Sequence, residues 1–254
     1  MNPGYAGAFS FPIMEPAPYV TVTFMRFPRG ERLWAMRQMA EKRAPMREVE
    51  GLLFHKLLGT GGGRGYSGRP DLGTYAVLGA WRGEQEGKEF LSGSSVMTDY
   101  CRHTEEVFSL HLSPLSSRGS WSGRQPFKAV EDPAPEAPLA VITRATIRPR
   151  YILGFWSQVG RVSRSLEQHG EGLLFTKGIG ELPWVEQATF SVWRSLPHMQ
   201  AFAHAQGTPH AEAIARTRKA DGFREELYAR FRVTGTEGTW NGTDPVRDAH
   251  HTAG

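Results

Sequence analysis

The chain has 254 residues, 30 lysines and arginines against 26 acids (formal charge +4), 39% hydrophobic and 22% charged residues. Such a composition belongs to soluble globular proteins of one large or two ordinary domains, and its scattered bases exclude the concentrated patch of a nucleic-acid binder. Cys101 is the only cysteine, which excludes an internal disulfide and any multi-cysteine metal site and makes a reduced, cytoplasmic location the expectation.

Residues 1–17, rich in Gly and Pro, read as a mobile arm. The first basic residue is Arg26, so no charged leader precedes an apolar stretch. No apolar run approaches the roughly 20 residues that cross a bilayer. A first unit is expected over 18–129. "YVTVTFMRF" alternates with period two and predicts a strand. "RGERLWAMRQMAEKR" spaces Leu33, Trp34, Met36, Arg37 and Met39 as a helix. "GLLFHKLLG" and "GTYAVLGAW" are strands, "EGKEFLSG" with "SVMTDYCRHTEEV" is helical, and "FSLHLSPL" closes as a strand. "VEDPAPEAP" (130–138), with three prolines and three acids, reads as a linker.

The second unit, 139–242, repeats the order. "PLAVITRATI" is a strand and "PRYILGFWSQVGRVSRSLEQ" a helix. "GLLFTKGIG" and "QATFSVW" are strands. "LPHMQAFAHA" with "TPHAEAIARTRKADGFREELY" is helical, and "ARFRVTG" is the last strand. Residues 243–254 read as a mobile tail. The parallel extends to the residues: "GLLFHKLLG" (51–59) matches "GLLFTKGIG" (172–180), and "GSWSG" (119–123) matches "GTWNG" (238–242) almost equally far downstream. The fold expected is therefore α+β: two tandem ferredoxin-like β-α-β-β-α-β repeats, their sheets closing an α+β barrel with helices outside.

The segments "GLLFTKGIGELPWVEQATFSVW", "PHAEAI", "FREELYARFRVTGTEGTW", "RLWAMRQMA" and "SPLSSRGSWSGRQPF" closely resemble the spheroidene monooxygenase family, and the resemblance spans residues 20–242. It implies a haem-dependent monooxygenase that oxidises acyclic carotenoids at C-2, first to the alcohol and then to the ketone, with haem b and dioxygen. The barrel is shared, by analogy only, with haem proteins such as aldoxime dehydratases and chlorite dismutases. Three other readings stay open: a haem lyase or dehydratase acting on a nitrogenous substrate, a haem-binding protein without turnover, and a cofactor-free monooxygenase.

Haem iron in this fold class needs an axial ligand, usually a neutral imidazole. His210 follows Thr208 and Pro209, an N-cap and first-turn pair, and shares a helical face with Ala213 and Ile214. It is the candidate metal ligand and catalytic residue, and the resemblance includes it. The bland alternative is a capping histidine. His204 is second and His55 third, while His198 reads as a cap and His250 and His251 lie in the tail. A thiolate role for Cys101 lacks the surrounding pattern, and a small core-facing thiol is expected there.

Lys56 and Lys177 occupy matching places in the two units and are candidates, with Arg216, for pairing a haem propionate. Solvated or salt-bridged lysines and arginines, Arg218 included, are the alternative. A long apolar substrate needs an apolar channel, for which Trp156, Trp184, Phe190, Trp193 and Phe202 are candidate wall residues. Residues 63–68 spell G-x-G-x-x-G, but Pro70 and a β-rich run follow where a dinucleotide site needs a helix. With no nucleotide site in the chain, electrons are expected from a separate ferredoxin or similar donor. A membrane-dwelling substrate is compatible with peripheral membrane contact, and the sequence leaves a homo-oligomer open.

Overall fold

Alternation decides the strands. The computed structural model describes residues 17–63, 68–131, 137–169, 171–204 and 209–248. The first half runs β1 (Tyr19–Arg26), α1 (Arg32–Glu41), α2 (Arg43–Arg47), β2 (Leu52–Gly61), β3 (Pro70–Trp81), α3 (Glu84–Gly93), α4 (Ser95–His103) and β4 (Glu106–Gly119). The second half runs β5 (Leu139–Ile147), α5 (Ile152–His169), β6 (Leu173–Leu182), β7 (Glu186–Trp193), α6 (Leu196–His204), α7 (Pro209–Lys219) and β8 (Phe223–Gly238). None of the helices, among the described residues, is long and apolar enough to cross a membrane.

All eight strands pair antiparallel and close one barrel in the order β1-β3-β2-β6-β7-β5-β8-β4. The first half supplies β4-β1-β3-β2 and the second β8-β5-β7-β6. The two seams between halves differ. β4 and β8 pair from Phe108 opposite Gly238 to Gly119 opposite Leu227, whereas β2 meets β6 only through Gly59 and Thr60 opposite Gly180 and Ile179. Each half adds an ion pair near the short seam: Lys56 with Glu181 at 2.5 Å and Lys177 with Asp71 at 3.2 Å.

An eight-stranded barrel is just wide enough for side chains to fill. Here inward residues from all eight strands form one core, including Val22, Phe24, Phe54, Leu78, Phe108, Ile142, Phe175, Phe190 and Phe231. Phe24 lies 4.9 Å from Phe175 and 5.5 Å from Phe190, ring centre to ring centre. Side chains fill the interior.

Three expectations need correction. The helix expected to reach Tyr228 stops at Lys219. Asp221 turns left-handed (φ 44°) and Gly222 sits where a Cβ would meet the Tyr151 ring at 2.4 Å. From there Leu227, Ala229, Phe231 and Val233 alternate into the barrel. The segment after residue 242 does not leave the fold at once: Val246 is 4% exposed in the core, and Asp244 accepts from the Thr236 hydroxyl at 2.5 Å. Cys101 is exposed, not core-facing; α4 buries Val96, Met97 and Tyr100 instead.

The two Gly-Trp-Gly marks are reciprocal clasps. The turn after β4 is caught by Glu225 of β8, which accepts from Ser120 Oγ (2.9 Å) and the Gly123 amide (2.7 Å) and pairs with Arg144. The turn after β8 is caught by Glu106 of β4, which accepts from the Gly242 amide (2.8 Å) and pairs with Arg26 at 2.7 Å. Trp121 plugs the barrel beside Phe54 (5.8 Å), and Trp240 lies under the Arg26 guanidinium (4.3 Å), a cation–π contact. Gly119 and Gly238 enter these turns at φ 86° and 79°, and a Cβ on either would stand 2.1 Å from a carbonyl oxygen of the other half. Only glycine fits.

Gly119→Ala or Gly238→Ala should therefore cost roughly 3 kcal/mol or more by denaturant melts. Gly123→Ala, left-handed at φ 72° but facing open space, should cost only about 1 kcal/mol.

Burial alone would raise the carboxyl pKa of Glu225 and Glu106. The amides of Gly123 and Gly242, with nearby hydroxyls and arginines, outweigh it and hold both below the usual range. A depressed folded-state pKa means the stabilisation is complete above the unfolded value and is lost as pH falls below about 4. Melting temperature measured from pH 6 to 3 should drop steeply in the parent chain and less steeply in Glu225→Gln.

Candidate functional site: the layer under the second-half helices

The outer faces of the two half-sheets, matched by strand register, carry different residues. In the first half, Leu57, Val77, Thr23 and Ser109 lie side by side across β2, β3, β1 and β4. The corresponding row of the second half is Gly178, Thr189, Thr143 and Tyr228 across β6, β7, β5 and β8. One row further along, Gly59, Tyr75, Met25 and Val107 correspond to Gly180, Gln187, Ala145 and Glu226. Leucine, methionine and tyrosine in one half stand where glycine, alanine and glutamine stand in the other.

The layers follow from that exchange. Helices α1, α2 and α3 seat directly on the first half-sheet with α4 packed against α3, and Met25, Phe27, Leu57, Tyr75, Val77, Trp81, Phe90 and Tyr100 form a continuous core with them. In the second half α5 lies chiefly against α7, and among the described residues the apolar cluster of the layer comprises Leu139, Val141, Trp193 and Met199 with a few half-buried neighbours. Thr143, on a central strand, is exposed, and Gly178 and Thr176 are half-buried. Thr189 Oγ1 and Gln158 Oε1 are buried with no partner. This sheet face carries less side-chain bulk than its first-half counterpart.

At one end of the layer a groove of about 600 Å³ opens, lined by Gly68, Ile152, Leu153, Trp156, Val159 and Trp184. The β6–β7 turn places Trp184 there with φ 62°. Its indole N–H donates to the Gly68 carbonyl (3.1 Å), and the Trp156 indole donates to the Trp184 carbonyl (3.1 Å). Leu153 is 86% and Trp184 53% exposed.

The candidate residues separate accordingly. His210 is the second residue of α7, in the roof of the layer, and His204 is the last of α6; both side chains lie outside what the structure describes. Trp193 and Phe202 pack together at 5.3 Å at the closed end of the layer, and Trp156 and Trp184 line the groove. Phe190 faces the barrel core. Lys56 and Lys177 share the barrel-facing register of Phe54 and Phe175 and already hold acids, while Arg216 is paired with Glu212 at 3.7 Å on the exposed side of α7. His55 stands on the opposite sheet face, and burial, then Lys56 and Arg47, lowers its pKa. His198 bonds Ser195 Oγ at 2.8 Å. The G-x-G-x-x-G stretch, of which 64–67 lie outside the described residues, joins β2 to β3 and opens no helix. Thr143, Gly178, Thr189 and Tyr228 were missed. The signal for Gly178 and Thr189 was present as "LLG" (57–59) against "GIG" (178–180) and "TYAV" (74–77) against "EQAT" (186–189), but it needs strand register to be read.

A mixed α+β protein built on a closed antiparallel eight-stranded barrel wrapped by helices is the class that the fold defines. Two solved aldoxime dehydratases share the shape. One, crystallised with butyraldoxime, aligns with TM-score 0.59 and 11% identity over 90% of this chain and 84% of its own. The other gives 0.55 and 13% over 90% and 86%. No family model matches the chain. Spheroidene monooxygenase of Rhodobacter capsulatus is 38% identical over 232 residues, 90% of this chain and 95% of that protein. That of Rubrivivax gelatinosus is 35% identical over 212 residues, 83% and 80%. The chain belongs to the spheroidene monooxygenase family, a family of oxidoreductases.

The difference between the layers can be measured. Leu57→Ala in the sealed layer should cost about 3 kcal/mol, whereas Gly178→Leu, which puts the first-half residue into the open layer, should cost less than about 1 kcal/mol.

Proposed function

We propose that the chain is a haem-dependent monooxygenase acting on an acyclic, apolar carotenoid, oxidising C-2 to the alcohol and then the ketone, with haem b held in the open second-half layer. The observation that carries the placement is the exchange of Leu57, Met25 and Val77 for Gly178, Ala145 and Thr189. The names of the relatives support the substrate class. Iron carried in a macrocycle needs one protein ligand. His210, in the roof on α7, is the residue proposed to supply it, with His204 second. When bound, haem supplies the one-electron and dioxygen chemistry that amino acids lack.

The remaining work falls to the protein. The small residues of the sheet, Gly178 and Ala145, leave room for the ring. Trp156, Leu153 and Trp184 at the groove suit an apolar chain by area and indole faces, and their exposure favours peripheral contact with the membrane that dissolves such a substrate. Trp193 and Phe202 close the far end. Electrons come, in this proposal, from a separate ferredoxin-type donor. The matched strand order and the paired clasps support reading the halves as tandem ferredoxin-like repeats, of which only the second kept a ligand layer.

The purified protein should take up haem with a Soret band that His210→Ala loses and Gly178→Leu weakens. Turnover of an acyclic polyene should require dioxygen together with a ferredoxin and its reductase. Conversion under strict anaerobiosis would sink the monooxygenase reading.

A further inference from the structure

The sheet floor of the open layer carries one hydroxyl that the fold itself does not use. In the sealed first half the position is Val77, buried against Leu57 and the helices. Beside it Thr23 and Ser109 satisfy one another, oxygen to oxygen at 2.9 Å. In the second half the same place is Thr189, which has the shape of valine with one methyl exchanged for a hydroxyl. Its lateral neighbours are Gly178, which offers no side chain, and Thr143, which is exposed and solvated. Tyr228, standing where Ser109 stands in the first half, turns its hydroxyl to Met199 Sδ at 3.8 Å. Thr189 is 6% exposed and its Oγ1 has no partner. Valine would serve the sheet as well, and an unpaired buried hydroxyl costs stability.

We infer that Thr189 Oγ1 is a ligand-binding donor, placed to hydrogen-bond a small polar molecule of the diatomic or azide class held between the sheet and the α5–α7 roof. This rests on the haem reading. If the roof supplies the axial histidine, the face of the ring turned away from α7 is the one over the strands, and Thr189 is its buried, unpaired donor. Thr143 is the lesser candidate because water already reaches it. The role is a positioning one: a hydroxyl that orients and polarises a ligand and does not itself react.

The test uses the full-length haem-loaded protein and three variants, Thr189→Val, Thr189→Ser and Thr143→Val. Thr189→Val should melt at the same temperature as the parent or higher, since it removes an unsatisfied group. It should take up haem with an unchanged Soret band, move the stretching band of added carbon monoxide, and weaken azide binding roughly tenfold. Thr189→Ser should restore the parent band and affinity, and Thr143→Val should leave both close to the parent. A Thr189→Val protein with normal haem, unmoved carbon monoxide band and unchanged azide affinity would overturn the inference and leave the haem reading standing. A fall in melting temperature without any ligand effect would make the hydroxyl structural and overturn it too. Failure of the parent chain to take up haem would overturn the haem reading and this inference with it.

Discussion

Where this protein can hold a ligand is decided by a full barrel. Eight strands enclose a space that side chains alone can occupy, and here Phe24, Phe108, Phe175, Phe190 and Phe231 occupy it. A ligand must then lie outside, between strands and helices. That confines the question to two layers, one per half, and the outward-facing residues of each half-sheet answer it. Close packing leaves no middle ground: a layer that buries Leu57, Met25, Tyr75 and Val77 has no room for anything else.

The two halves share a strand order and differ in the side chains of one sheet face. The strand order, the Lys56 and Lys177 positions and the turns at Gly51 and Gly172, both left-handed at φ 74° and 75°, are held in common. What differs is side-chain volume on one face. The first half uses its helix–sheet interface as ordinary core, and the stability that interface contributes is available to a second half whose roof rests mainly on itself. The clasps bind the halves together. Because Glu106 holds the turn of the second half and Glu225 that of the first, neither half completes its own barrel end. Removing a side chain of this network disturbs both halves.

Charge is spent in the same structural way. The lysines that suggested propionate partners stand at the short β2–β6 seam, where two residue pairs of backbone contact are reinforced by Lys56–Glu181 and Lys177–Asp71. Glu181 also accepts from the Trp121 indole at 2.6 Å, so one acid ties the seam to a clasp. These matched charges serve closure. The sheet face under the second-half helices, by contrast, carries glycine, threonine and tyrosine at Gly178, Thr189, Thr143 and Tyr228.

The sequence by itself determined the element order, the closure of the halves on one another and the family, because period-two and helical patterns, glycine punctuation and long ordered matches are local properties of the chain. It marked both Gly-Trp-Gly turns without showing that each is gripped by the opposite half, since Glu106 and Glu225 are remote from the turns they hold. It placed the end of α7 too late because Asp221 and Gly222 break the helix within a run of good helix formers. Only the tertiary structure decided that Phe190 is barrel core while Trp156 and Trp184 line a groove. Only it decided that Gly178 and Thr189 stand in one half where Leu57 and Val77 stand in the other. Both are questions of which face a strand residue presents and what lies across from it, and strand register fixes that only once the barrel has closed.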